Sequence, residues 1–293
     1  MSRWTSSDIP DQTGRIAVIT GGNTGLGLAA ATALAQHGAS VVLAGRDTAK
    51  AERAAQQIGG GTSYVRLDLA LLASVRDAAA ELRSRLTRID LLVNNAGVLM
   101  TREFTTGDGF ELHYGTNHLG HFALTGLLLD LMTTVPGSRV VTVTSPLYAR
   151  GQYPPRDQFT PSGAYSDAKL ANLLFALELQ RRLAAAHADI ISLAAHPGYA
   201  STGLLRHQPA LTRLGSRLAV PLIGQSAASG ALPILRAATD PGAHGGQFYR
   251  PRWQTRGHPV PATPRPAARD AQAARQLWAE SEENTHVSYN LTP

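Results

Sequence analysis

Tyr165 and Lys169 stand four residues apart in the segment Ala164-Tyr165-Ser166-Asp167-Ala168-Lys169-Leu170. That spacing puts both side chains on one face of a helix. An ammonium held beside a phenol favours the phenolate and lowers the phenol pKa towards neutrality. Such a phenol can give a proton to a carbonyl oxygen or take one from an alcohol. Far upstream lies the glycine-rich turn Thr20-Gly21-Gly22-Asn23-Thr24-Gly25-Leu26-Gly27. Gly21, Gly25 and Gly27 follow an apolar run and open a helical one. In that setting glycines give the tight turn, let a dinucleotide pyrophosphate approach the backbone, and allow close helix–strand packing. A hydride carrier seated there, beside a tuned proton carrier, would interconvert an alcohol and an aldehyde or ketone. The chain is rich in arginine, and Lys50 and Lys169 are its only lysines. A planar guanidinium is a poor substitute for the compact ammonium at Lys169.

The elements that must position these groups alternate β-branched runs with alanine-rich stretches. This indicates an α/β, three-layer, doubly wound Rossmann fold with a parallel sheet of about seven strands. Strands are expected at 15–20, 40–44, 63–67, 89–94, 139–145, 189–195 and 247–249. Helices are expected at 25–36, 48–58, 71–86, 109–132, 163–187 and 225–237, with Asp47 as N-cap of the second. Residues 1–257 read as a single domain, with 12–198 the cofactor and catalytic core and 199–224 a segment over the substrate. Residues 258–293 read as a tail packed on that domain. Its proline-rich start, 258–266, would be extended. An amphipathic helix at 267–283 would follow, with Leu277 and Trp278 on its apolar side.

The end of the second strand bears on the nicotinamide type. An acidic residue there would hold an adenosine 2′-hydroxyl. The sequence instead reads Ala44-Gly45-Arg46-Asp47, and Arg46 suits a 2′-phosphate. NADP(H) is therefore favoured over NAD(H), although Asp47 could offset Arg46 or simply cap the next helix.

The chain has 293 residues, 43% of them hydrophobic, enough for a sizeable core. No run approaches the roughly 20 apolar residues of a membrane span, and the first residues lack the apolar region of a secretory signal. With no cysteine, disulfides and thiolate chemistry are excluded and the expected location is cytoplasmic. The net charge is +6, but the arginines are scattered rather than striped, so nucleic acid is not the expected partner. His118 and His121 lie three apart with no nearby carboxylate in a zinc-binding pattern; with His113 and His196 they read as packing and polar bonding, not as metal ligands.

Taken in order, several features resemble the short-chain dehydrogenase/reductases. They are Thr20-Gly21 through Gly27, Leu67-Asp68-Leu69, Asn94-Asn95-Ala96-Gly97, Asn117-His118-Leu119-Gly120-His121-Phe122, Ser145, Tyr165 with Lys169, and Pro197-Gly198. Within that superfamily, the stretch 165–175 and the tail pattern Leu277-Trp278 through Glu282-Glu283 are most similar to the retinol-dehydrogenase-like branch. The resemblance implies a catalytic tetrad of Asn117, Ser145, Tyr165 and Lys169. It implies cofactor contacts from Gly21, Asn23, Thr24, Gly25, Leu26, Gly27, Arg46, Asp68, Leu69, Asn94, Ala96, Gly97, Tyr165 and Lys169. Pro197 and Gly198 would pack on the nicotinamide and Thr202 would bond its carboxamide. Asp68 would bond the adenine amino group. Two features depart from the family pattern: Pro146 follows Ser145, and the loop from Ser145 to Tyr165 is short for a retinol dehydrogenase.

The apolar residues of 199–224 fit either a lid over a small lipophilic carbonyl or alcohol substrate, or a helix pair packed on the domain or a neighbouring subunit. The family habit of pairing through the helices at 109–132 and 163–187 implies a homodimer or homotetramer. Two other activities suit the same features less well. One is reduction of a carbon–carbon double bond, which in light-dependent relatives relies on a cysteine. The other is NADP(H) sensing without turnover, against which the intact Ser145, Tyr165 and Lys169 argue.

Overall fold

The computed structural model describes residues 3–199 and 225–291. Short runs of β-branched and other apolar residues form the strands: β1 Ile16–Thr20, β2 Ser40–Gly45, β3 Ser63–Arg66, β4 Leu91–Asn94, β5 Arg139–Val143, β6 Ile191–Ala195, β7 Phe248–Pro251 and β8 Pro259–Ala262. They make one sheet in the order β3-β2-β1-β4-β5-β6-β7-β8. The first seven strands run parallel; β8 alone is antiparallel, paired to β7. The order reverses direction beside β1, where open α/β sheets leave a crevice at the strands' carboxyl ends.

Neighbouring strand residues point to opposite faces, and both faces are apolar, as a doubly covered parallel sheet requires. Ile19, Val41, Leu43, Leu91, Val93 and Val141 meet one layer, from α1 (Gly25–Gln36), α2 (Thr48–Ile58) and α8 (Ala227–Thr239). Val18, Val42, Leu92 and Val140 meet the other, from α3 (Leu72–Arg85), α5 (Gly120–Leu128) and α7 (Pro161–Ala185).

The structure departs from the expected elements in two places. The helix expected at 109–132 is composite: α4 (Leu112–Tyr114), a π-helical stretch Gly115–Leu119, α5, and α6 (Asp130–Thr133). A reason for the π stretch is local. The Asn117 carbonyl accepts from Nδ1 of His121 at 2.9 Å, so a side chain takes over an acceptor that an α-helix would satisfy with backbone. Second, the proline-rich start of the tail contributes β8. Proline is tolerated there because an edge strand does not need every N–H in a ladder.

Beyond β8, α9 (Ala271–Thr285) begins at Asp270, whose carboxylate accepts from Gln272 and Ala273 N–H. Trp278 packs edge-on to Phe122 at 5.1 Å and stacks on Phe175 at 5.8 Å, with the Arg182 guanidinium 4.3 Å above it. The Tyr289 hydroxyl donates to the Phe122 carbonyl at 2.6 Å. The tail therefore covers the faces of α5 and α7 on which subunit pairing was expected. Among the described residues no helix is long and apolar enough to cross a membrane.

Trp278 is 1% exposed, so its truncation should leave a large cavity. Trp278→Ala should cost roughly 3–5 kcal/mol of stability. The check is the midpoint of denaturant unfolding; an unchanged midpoint would mean that the tail does not contribute to the core.

Candidate active site

The glycine turn follows β1 and opens α1, as the motif requires. Gly21 has φ +65° and Gly25 φ +57°, conformations that side chains rarely adopt. At Gly27 the constraint is contact rather than torsion: a Cβ there would lie 2.4 Å from the Gly21 carbonyl oxygen. The N-cap of α1, Thr24, makes no side-chain capping bond, so the first-turn N–H groups of α1 remain available. Free N–H groups and a helix dipole form a natural seat for phosphate. Around them opens a cleft of about 310 Å³, lined by Gly21, Asn23, Thr24, Gly25, Leu26, Gly27, Arg46, Asp68, Leu69, Ala96 and Gly97, among others. Eleven of the residues expected to hold the cofactor thus meet in one place. The donor set and the crowded glycines fit a dinucleotide.

Other expected residues stand elsewhere. Asn94 does not line the cleft; it is fully buried at the end of β4, where its Nδ2 donates to Thr125 Oγ1 at 2.9 Å. The neighbouring Asn95 braces the turn, its Nδ2 donating to the Thr20 carbonyl at 2.8 Å. Pro197 and Gly198 follow β6 on the same sheet edge, outside the cleft. Gly198 N–H donates to His196 Nδ1 at 3.0 Å, and Gln225 Nε2 donates to the Pro197 carbonyl at 2.7 Å. Thr202 and nearly all of the 199–224 segment lie outside the described residues.

The four expected catalytic residues gather at the carboxyl ends of β4 and β5. Ser145 lies two residues beyond β5 and caps the short helix Pro146–Arg150, its Oγ accepting from Leu147 N–H at 3.3 Å. Pro146 suits this geometry, since proline is pre-set for the first position of a helix. Lys169 is buried and donates to the Val143 carbonyl at 3.1 Å. Its Nζ lies 5.8 Å from the Tyr165 ring centre. Asn117 pairs twice with Val98: Oδ1 accepts from Val98 N–H at 2.7 Å, and Nδ2 donates to the Val98 carbonyl at 3.1 Å. A Cβ on Gly97 would stand 3.2 Å from Asn117 Oδ1 and 3.5 Å from Lys169 Nζ. The cleft and the catalytic groups therefore adjoin at Gly97.

The electrostatics differ from the simple expectation. Burial pushes the Tyr165 phenol up to about 12, with the Ser145 hydroxyl pulling the other way. Burial pushes Lys169 down to about 8. Desolvation disfavours the charged form of both groups and is the leading cause of each shift. The protein's own groups therefore do not bring the phenol towards neutrality.

Several contributing residues were not singled out from the sequence. Thr20 Oγ1 accepts from the N–H groups of Asn95 and Ala96, each at 2.9 Å, and faces His121 Nε2 at 2.8 Å. His121 Nδ1 donates to the Asn117 carbonyl, so Nε2 is the acceptor and the ring is neutral, its pKa pushed down to about 4 by burial. Lys50 lines the cleft beside Arg46. Its ammonium and its N–H both meet the Asp47 carboxylate, which caps α2 as expected. Asp167 accepts from Gln152 N–H, Arg156 N–H and the Arg156 guanidinium, anchoring the loop that precedes Tyr165. Lys50 could have been found from its place in the first turn after Arg46. The partners of Thr20 and Asp167 carry no local signal, because they are distant in sequence.

Residues 15–210 match the family model described as short chain dehydrogenase. Human retinol dehydrogenase 13 is 36% identical, with 92% of this chain and 83% of that protein covered. Mouse polyprenol dehydrogenase is 38% identical, covering 93% and 84%. A crystal structure of an uncharacterized protein from Mycobacterium paratuberculosis is 41% identical with a TM-score of 0.83, covering 98% of this chain and 99% of that one. The chain belongs to the short-chain dehydrogenases and to their retinol-dehydrogenase-like branch, a family of oxidoreductases that use a nicotinamide cofactor.

Gly27→Ala would drive its new methyl into the Gly21 carbonyl. Titration of reduced-nicotinamide fluorescence should show binding weakened by at least tenfold, the equivalent of about 1.4 kcal/mol. Unaltered binding would place the nucleotide elsewhere.

Proposed function

We propose that the chain is an NADP(H)-dependent oxidoreductase that interconverts a lipophilic alcohol and its aldehyde or ketone. The observation that carries this reading is the junction at Gly97. There a dinucleotide-shaped cleft meets Asn117 and Lys169, one helical turn from the Tyr165 phenol.

The cleft residues from Gly21 to Gly27, with Arg46 and Asp68, would hold a nicotinamide dinucleotide, which would supply or accept the hydride. The chain's own residues handle the oxygen and its proton. In the reductive direction the Ser145 hydroxyl donates a hydrogen bond to the substrate oxygen as negative charge grows there. Tyr165 delivers the proton from its phenolic oxygen to that oxygen. The Lys169 ammonium stabilises the phenolate that remains. Asn117, held by its two bonds to Val98, serves proton return towards Lys169. In the oxidative direction Tyr165 takes the proton.

Support for NADP(H) over NAD(H) comes from the end of β2. Arg46 is exposed at the mouth of the cleft with Lys50 beside it, and the Asp47 carboxylate that follows is paired with the Lys50 ammonium. Gly45 leaves room: the nearest atom to a Cβ at that position would be Asn23 Nδ2, at 3.7 Å. A lipophilic substrate is favoured by the similarity to retinol and polyprenol dehydrogenases and by the apolar residues of 199–224. The location proposed is cytoplasmic. A homodimer or homotetramer is the proposed assembly; because the tail already covers α5 and α7, its contact would include the tail or another face.

Turnover should be found with NADPH on a panel of retinal, aliphatic and aromatic aldehydes, steroid ketones and quinones. Tyr165→Phe should lower kcat by about 10²–10⁴-fold while NADPH still binds. Unchanged turnover in that variant would sink the proposed mechanism. Arg46→Ala combined with Lys50→Ala should shift the NADPH-to-NADH ratio of kcat/KM by about tenfold or more towards NADH, since a charge-assisted hydrogen bond contributes roughly 1.5–3 kcal/mol. An unmoved ratio would exclude these two cations from 2′-phosphate recognition.

A further inference from the structure

The tail motif Leu277-Trp278 through Glu282-Glu283 has no part in the reaction just described, yet its contacts converge on the turn that carries Asn117. That turn is π-helical, and π stretches are often found where a side chain is presented for function. Asn117 is held from the cleft side through His121 and Thr20. From the opposite side it is held through the next residue, His118. His118 Nε2 lies 2.9 Å from Ser281 Oγ in α9. Ser281 spends its own proton on the Leu277 carbonyl at 2.6 Å, so His118 must be the donor in this pair. The ring is buried between Tyr114, Phe122 and Phe175, at centroid distances of 5.2, 6.2 and 6.1 Å.

Trp278, one turn before Ser281, touches Phe122 of α5 and Phe175 of α7. One tail side chain thus spans the helical run that carries Asn117 and the helix that carries Tyr165 and Lys169. We infer that α9 is a positioning element of the active site. Ser281 acts through His118, and Trp278 through Phe122 and Phe175, to set the π-helical turn of Asn117 against α7. Neither residue touches the reacting atoms. The inference rests on the proposed role of Asn117 and Lys169 in proton transfer.

The telling variant is Ser281→Ala, which removes one oxygen from the interior and leaves the His118 N–H without an acceptor. Hydrogen–deuterium exchange over residues 115–119, which needs no substrate, should rise. With NADPH and the best carbonyl compound of the panel, kcat should fall by about tenfold, in line with the loss of one buried hydrogen bond. The dissociation constant for NADPH should stay within twofold, because the cleft is braced from the Thr20 side. Ser281→Thr, which keeps the hydroxyl, should recover both exchange and kcat. Unchanged exchange and kcat in Ser281→Ala would overturn the inference and leave the tail as cover for the core. Asn117→Ala, run in parallel, separates the two readings. A fall in kcat for Asn117→Ala but not for Ser281→Ala defeats the tail's role alone. No fall in either defeats the relay through Asn117 as well. A fall confined to Ser281→Ala defeats the route through Asn117.

Discussion

The site depends on how one hydroxyl, that of Thr20, is satisfied. It sits where β1 ends and the glycine turn begins, fully buried. It accepts two backbone N–H groups from the turn after β4 and gives its proton to His121. His121 in turn holds the carbonyl of Asn117. A buried polar group without a partner costs on the order of 1–3 kcal/mol, so each link enforces the next. The chain of bonds joins the glycine turn, the turn containing Gly97, and the π-helical turn of Asn117. The candidate nucleotide cleft and the candidate catalytic residues are therefore one mechanical unit.

The same dryness governs the charges. Lys169 lies buried between β5 and Asn117 and donates to the Val143 carbonyl, which also accepts from Asn172. Removing solvent from an ammonium makes it easier to deprotonate, and removing solvent from a phenol makes it harder. The pair is thus poised with both members nearer neutral than in water. Asp167, midway between Tyr165 and Lys169 on α7, supports the arrangement by a different route: its carboxylate is engaged in holding the 152–156 backbone and Arg156, so the loop before Tyr165 is anchored to α7 itself.

The tail adds the third constraint. A helix with almost no exposed face, such as α7, must be covered on every side. Strands cover one side, and α4, the π-helical stretch and the short helix Pro146–Arg150 another; α9 and Tyr289 cover the remainder with an aromatic cluster of Phe122, Phe175, Trp278 and Tyr289. Aromatic pairs of this kind contribute beyond their buried area. The cluster also explains why a segment remote in sequence reaches the neighbourhood of the site.

Local pattern was enough to reveal most of the framework. Continuous apolar runs in 16–20 and 40–45, glycines at 21, 25 and 27, and the i, i+4 pair of Tyr165 and Lys169 each act within a few residues, so the sequence alone placed the parallel sheet, the glycine turn and the helix that carries the candidate catalytic pair. Arg46 and Asp47 were legible for the same reason. What stayed hidden depends on partners far away along the chain. The antiparallel β8 needs β7 beside it before a proline-rich run can pair. The π stretch needs the His121 side chain, and through it Thr20 a hundred residues upstream. The exchange of roles between Asn94 and Asn95 is decided by which face of β4 meets α5. The opposed shifts of Tyr165 and Lys169 come from burial, which no local motif records. Periodicity and turn chemistry are written in neighbouring residues, whereas desolvation and long-range hydrogen bonds exist only once the chain has closed on itself.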